Sequence, residues 1–443
     1  MDTTSAIQCY KSYARLAVLP RLRPGLRVVH VAPPWIEVPP AGYGGTEIVA
    51  ERVAIGQQKL GMEVAVLCRP GSTVPGAVHI APASHEWRNH LAQARHDEIE
   101  LFYAVESVKW MRAELRAGRP IDIIHTHVRG AALLYICREL AEVEGIPVVH
   151  TVHLPVIGDE WAAERERYRE ASYAYLVGIS QYHGLELMEH IGTSACAAIV
   201  YNPLPGDVLA TPRVSKAGYA AYAARIHPDK RQDLAIQVAL KANVPLILIG
   251  KIAENTLYYR QQVLPLIDGH RIVYVGEVSN DTRDKYLAYA NFVLAPIQWE
   301  EPNGIGHTLA AALGTPVIYF DRGALAETLW DGVSGICVPP DDIDAMVDAI
   351  PSARALDANL CSLITLARFN YHRAVVGYTE LYADILQGRH HHSMLYPKIP
   401  EYDIVQPIYE MAQGLSAEED QIAEVHSSKE VYLPPANILN SSF

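Results

Sequence analysis

Three groups of residues in this chain combine types and spacings that do chemistry. Arg225 and Lys230 flank a short loop after the apolar run Tyr219 to Ala224. Two cations at the end of one strand are suited to neutralise a departing diphosphate. A second group, Glu300, Glu301, Pro302, Asn303, Gly304, Ile305 and Gly306, follows the apolar run 291–296. Glycines at the mouth of a helix leave backbone N–H groups open beside the positive end of its dipole, which favours phosphate. A carboxylate just ahead of such a helix can accept hydrogen bonds from sugar hydroxyls. The third group is His125 and His127, at the end of the apolar run from Ile121. They are expected to face opposite sides of a strand, one towards the core and the other towards a cleft. No metal site is expected: His390, His391 and His392 have no Cys or carboxylate at ligand spacing.

Strands and strand-to-helix turns must position these groups. Short apolar runs at 27–34, 64–68, 121–126, 147–153, 175–180, 219–224, 245–250, 272–278, 291–296 and 316–320 predict buried strands. Helical stretches lie between them. Strand, helix, strand in repetition predicts α/β architecture with parallel sheets. Gly44 and Gly45 open the first helix after the first strand, where such folds hold phosphate. His153 falls at the C-terminal end of its strand, where ligands bind in open α/β sheets. The Pro- and Gly-rich segment 203–212 predicts a linker.

The chain has 443 residues, half of them hydrophobic, and a formal net charge of -13. That length accommodates two or three globular domains. The acidic balance, with no basic domain, argues against a nucleic-acid partner. Six scattered cysteines without a C-x-x-C pair fit reduced thiols, not a disulfide framework. No apolar run approaches the roughly 18 residues that span a bilayer, and the first residues lack the ordered regions of a secretory signal. A cytoplasmic protein is expected. Lys11, Arg15, Arg21 and Arg23 raise a peripheral membrane helix, but Pro20 and Pro24 interrupt it. Residues 390–443 carry eight acidic residues against Lys398 and Lys429.

The stretch from Glu301 to Val317 resembles the signature of the family-4 retaining glycosyltransferases. Glu301, Gly304, Ala310, Ala312, Gly314, Pro316 and Val317 match its E-x-F-G-x-x-x-x-E-A-x-A-x-G-x-P-V pattern. Asn303 replaces the usual Phe, and Leu309 replaces the second glutamate, which in the family holds the ribose hydroxyls. Arg225 and Lys230 resemble the family's G-R-x-x-x-x-K-G, with Ala224 and Arg231 in place of its glycines. His127 matches the second histidine of a D-x-x-H-x-H segment. Tyr43-Gly44-Gly45-x-Glu47 and Asn202-Pro203 resemble further family positions, as does Glu277.

The resemblance implies the GT-B fold: two Rossmann-like domains with parallel sheets facing a central cleft. Its expected divisions are an extension over 1–26, an acceptor domain over 27–205, a donor domain over 206–388 whose last helix crosses back, and a tail over 389–443. It implies transfer of a sugar from a nucleotide-diphosphate sugar to an unknown acceptor, without cofactor or metal. The implied catalytic set is His127, Arg225, Lys230 and Glu301. The implied donor-binding set is Gly44, Gly45, Asn303, Gly304, Ile305, Gly306, His307 and Thr308, with His153 and Glu277 in second rank. The missing glutamate at 309 keeps a second reading open, a degenerate homologue that binds a sugar or a partner without catalysis.

Overall fold

A computed structural model describes residues 25–42, 44–80, 93–192, 195–204, 215–253 and 256–389. Most of the extension, the tail with its three histidines, Cys9, Tyr43 and most of the expected linker lie outside the described residues. The chain divides into two compact units, with breaks between Pro205 and Gly206 and between Arg368 and Phe369.

The first unit is built on a seven-stranded sheet: β1 (Arg27–Val31), β2 (Glu63–Cys68), β3 (Ala77–His79), β4 (Ile123–Thr126), β5 (Val148–Thr151), β6 (Ala174–Gly178) and β7 (Cys196–Ile199). The strand order is β3-β2-β1-β4-β5-β6-β7, and every pairing is parallel. All residues of β1, β4 and β5 are buried, as strands covered on both faces must be. On one face, α2 (Gln93–Arg116) and α3 (Gly130–Ile136) join a core of Val29, Val31, Leu67, Tyr103, Met111, Ile124, Leu133 and Ile136. The other face carries His30 and His125, direct register partners on β1 and β4. Against this face lies α1 (Gly45–Lys59), which supplies Gln57.

The unit is completed from far along the sequence. The last stretch of the chain described forms two helices, Ala358–Phe369 and Tyr371–Leu386. The break falls at Asn370, whose side chain accepts the N–H of Arg373 and caps the second helix. That second helix packs on α1. A Cβ at Gly56 would meet Val375 Cγ2 at 2.2 Å, so only glycine permits this approach.

The second unit repeats the plan with six parallel strands: β8 (Ala220–Ala223), β9 (Leu246–Ile249), β10 (Ile272–Tyr274), β11 (Phe292–Ala295), β12 (Val317–Phe320) and β13 (Gly335–Val338). Their order is β10-β9-β8-β11-β12-β13. The run expected as a strand to Val278 ends at Tyr274, because Gly276 turns the backbone to φ +80. Among the described residues, the five cysteines are free thiols, and no helix is long and apolar enough to cross a membrane.

Candidate functional site

In both sheets the strand order reverses beside the first strand, between β1 and β4 and between β8 and β11. Loops leaving the C-terminal ends of such a pair diverge to opposite faces and open a crevice where open α/β sheets bind ligands. The second unit's candidate residues cluster at its reversal. Arg225 leaves the end of β8 and Glu301 follows the end of β11.

Lys230 Nζ lies 2.6 Å from Glu301 Oε2 and 4.0 Å from the centroid of the Trp299 ring. Trp299 Nε1 donates to the same carboxylate oxygen at 2.9 Å, and Gly304 N donates to Oε1 at 3.2 Å. Burial pushes the Glu301 carboxyl up, but the adjoining Lys230 charge and these donors outweigh it and hold the group below the usual carboxylate range. Burial draws the Lys230 ammonium down; with the carboxylate at contact distance, the charged pair is the state at neutral pH. Tyr222 OH donates to the Lys230 carbonyl and fixes the loop from below.

Gly304 takes the left-handed conformation, φ +78, and opens the helix Ile305–Ala312. Among the described residues, the amides of Ile305 and Gly306 have no hydrogen-bond partner, as expected at a helix start. A Cβ at Gly306 would sit 3.6 Å from the Ala223 carbonyl, so these amides adjoin the end of β8. Arg225 makes no hydrogen bond or ion pair through its guanidinium with any described residue. It is close enough to act electrostatically on Lys230. Cation, cation and open amides therefore gather at one strand end.

The other expected donor residues divide. Asn303 is buried in the same loop. His307 is buried with both ring nitrogens unpartnered among the described residues, and burial lowers it to about 4 against the pull of Glu301. Thr308 spends its hydroxyl on the carbonyl of Ile305 at 3.1 Å. Leu309, 5% exposed, is packed inside. Glu277 is exposed beyond β10, the edge strand, with β9 between it and β8.

In the first unit, His127 follows β4 and His153 follows β5. The expectation that His125 and His127 face opposite sides is incorrect: their rings stack with centroids 4.5 Å apart. Side chains alternate along a strand, so positions two apart share a face. Neither histidine is solvated; both are buried. Gly45 has open space where a side chain would stand, whereas a Cβ at Gly44 would strike Pro40 at 2.7 Å.

His30, His125 and His127 bring one nitrogen each within 4.8 Å of one another, as a metal site requires. Every nitrogen of the three rings nevertheless already faces a partner. His30 meets Gln57 at 2.8 Å and His127 at 3.4 Å. His125 meets Thr151 at 2.8 Å and Tyr382 at 2.6 Å, and His127 meets His153 at 2.9 Å. The set fits a hydrogen-bond network better than an ion.

Sequence reading missed Trp299, Tyr222, His30, Gln57 and Tyr382. Period two along β1 places His30 on the face of the later histidines once pairing is known. Tyr382 comes from a helix more than two hundred residues away, and no local pattern points to it.

Two family models match the chain: Glycosyltransferase Family 4 over residues 43–205 and Glycosyl transferases group 1 over residues 210–361. The chain belongs to the family-4-like glycosyltransferases of the GT-B fold. Among curated relatives of this GT-B chain, glycogen synthase of Pseudomonas syringae pv. syringae (strain B728a) is 27% identical over 177 residues, 38% of this chain and 36% of the relative. The chain thus spans about a third of the first curated relatives it matches. D-inositol 3-phosphate glycosyltransferase of Paenarthrobacter aurescens (strain TC1) is 24% identical over 413 residues, covering 81% of this chain and 97% of the relative. Among solved structures, the starch synthase IV catalytic domain of Arabidopsis thaliana, bound to ADP and acarbose, has TM-score 0.64 at 14% identity, covering 82% of this chain and all of that one. HepE of Anabaena in complex with UDP-glucose has TM-score 0.60 at 16% identity, with the same coverage. At these identities the structural likeness speaks for the fold alone.

Proposed function

We propose that this GT-B chain transfers a sugar from a nucleoside-diphosphate sugar to an acceptor, with retention at the anomeric carbon. The observation that carries the reading is the convergence of Arg225, Lys230 and the open amides of Ile305 and Gly306 at the strand reversal of the second unit. Cleaving a glycosyl–phosphate bond builds negative charge on the leaving diphosphate. Fixed cations and amides stabilise that charge most where they need not reorganise. Glu301, held ionised by Lys230, accepts hydrogen bonds from donor-sugar hydroxyls. In this reading His127 takes the part that the family's second histidine plays in the transfer. In this reading side-chain cations and a helix end supply the positive charge, so no metal is needed. The relative crystallised with UDP-glucose lends support to a nucleotide-sugar donor. A cytoplasmic setting accords with the reading.

Leu309 favours the alternative, a homologue that binds without turnover, since an apolar side chain stands where the family clamps ribose. Incubation with UDP-, GDP- and ADP-sugars, with nucleotide release followed over time, separates the two. Release that disappears in Arg225→Ala supports transfer. Saturable donor binding without release supports the binding homologue, and neither binding nor release overturns both.

A further inference from the structure

Eight buried or half-buried side chains of the first unit form one continuous chain of hydrogen bonds. Named in order, they are His153, His127, His30, Gln57, Tyr382, His125, Thr151 and Tyr378. Burial takes His30 to about 4 and His153 to about 3, and takes His125 and His127 well below the imidazole range. All four rings are therefore neutral near pH 7. A neutral imidazole holds one N–H and one acceptor nitrogen, so each ring passes on the direction imposed by its neighbour.

Gln57 is the member whose two ends differ chemically. Its Nε2 donates to Tyr382 OH at 3.1 Å, and its Oε1 stands 2.8 Å from His30 Nε2. An amide oxygen only accepts, so the His30 proton is on Nε2 and its Nδ1 is bare. That bare nitrogen faces His127 Nε2 at 3.4 Å, which sets the His127 proton on Nε2. His127 Nδ1 then accepts from His153 Nε2 at 2.9 Å. On the other side, Tyr382, having accepted from Gln57, donates to His125 Nδ1 at 2.6 Å. His125 Nε2 in turn donates to Thr151.

We propose that Gln57 and Tyr382 are positioning residues which, acting through His30, hold His127 as its Nε2–H tautomer, with Nε2–H committed to His30 and Nδ1 to His153, and so fix the orientation of its ring. The importance for catalysis rests on the reading of His127 given above; the tautomer itself does not. Gln57 touches no candidate substrate group and reaches His127 only through His30. Tyr382 anchors the amide: without its hydroxyl, the Gln57 N–H has no acceptor there and the amide is free to turn over.

Nitrogen-15 NMR of the full chain with labelled histidine rings tests this without any ligand. Assignment uses His30→Gln, His125→Gln and His127→Gln variants. The expected wild-type result is a His127 ring with one fully protonated nitrogen, Nε2, and one fully bare nitrogen, Nδ1. In Tyr382→Phe and Gln57→Leu the two shifts should move towards each other as tautomers mix. Gln57→Glu, which retains an acceptor for His30, should restore the wild-type His127 pattern. If Gln57→Leu does not fold, Tyr382→Phe and Gln57→Glu carry the comparison. Averaged shifts in the wild type, or His127 shifts unchanged in folded Tyr382→Phe, would overturn the proposal. Where a donor supports nucleotide release, Tyr382→Phe should lower kcat about tenfold and leave the donor KM within twofold. Loss of the tautomer effect refutes the positioning role. An intact tautomer effect with unchanged turnover instead refutes the part given to His127 in the transfer.

Discussion

Lys230 Nζ and Glu301 Oε2 stand 2.6 Å apart although 71 residues separate them in sequence. The contact ties the loop after β8 to the loop after β11 and holds both at the start of the helix Ile305–Ala312. Neither charge is well solvated: the side chains are 14% and 10% exposed. Removing one partner of such a pair strands the other. Lys230→Met is therefore expected to lower stability by about 3 kcal/mol in urea unfolding. Lys230→Met with Glu301→Gln should recover part of the loss, and the double-mutant cycle measures the coupling.

Arg225 should behave in the opposite way. Its guanidinium holds no described residue in place, so Arg225→Ala should unfold within about 0.5 kcal/mol of the parent chain. Nucleoside diphosphate affinity should nevertheless fall about tenfold or more, from loss of a charge-assisted contact. Calorimetric titration with UDP, GDP and ADP checks both halves on one sample.

Glycine at 323 supports the same loop from behind. It adopts φ +58, and a Cβ there would lie 2.4 Å from the Glu301 nitrogen. Its own N–H donates to Glu300 at 2.7 Å. Gly323→Ala should cost about 2 kcal/mol or more, from backbone strain and overpacking together. Thermal unfolding reads the stability, and nucleotide titration reads the displaced Glu301.

Glu100 offers a pH signature in the first unit. It is buried, accepting from Trp35 Nε1 at 2.6 Å and from the Arg129 amide at 3.2 Å. Burial raises it from 4.5 to about 7, with Arg129 pulling the other way. A carboxyl raised on folding binds more protons in the folded state. Its contribution is complete below about pH 4.5 and lost as pH rises through 7. Comparing urea unfolding at pH 5 and pH 8, Glu100→Gln should remove a loss on the order of 3 kcal/mol.

Much of this was legible in the residues themselves. Apolar runs such as Val28-Val29 and Leu246 to Ile249 have no polar face to alternate, and they fold as doubly covered parallel strands. The glycines at 304 and 306 announced a helix mouth, and the Arg225–Lys230 spacing announced a charged strand end. What stayed hidden depends on pairing. His30 gains its meaning only from register with His125. Trp299 reads as one more aromatic until Lys230 lies over its ring. His125 and His127 share a face because side chains two apart on a strand point the same way, as their stacked rings show.

The helix Tyr371–Leu386 belongs to the first unit, yet it is synthesised after nearly all of the second. A ribosome-bound chain exposes residues 25–204 for as long as it takes to make more than a hundred and fifty further residues. Throughout that interval Gly56 lacks Val375, and His125 lacks the hydroxyl of Tyr382. The order of translation thus leaves the first unit open, and its buried polar chain closes only after residues 206–368 have been made.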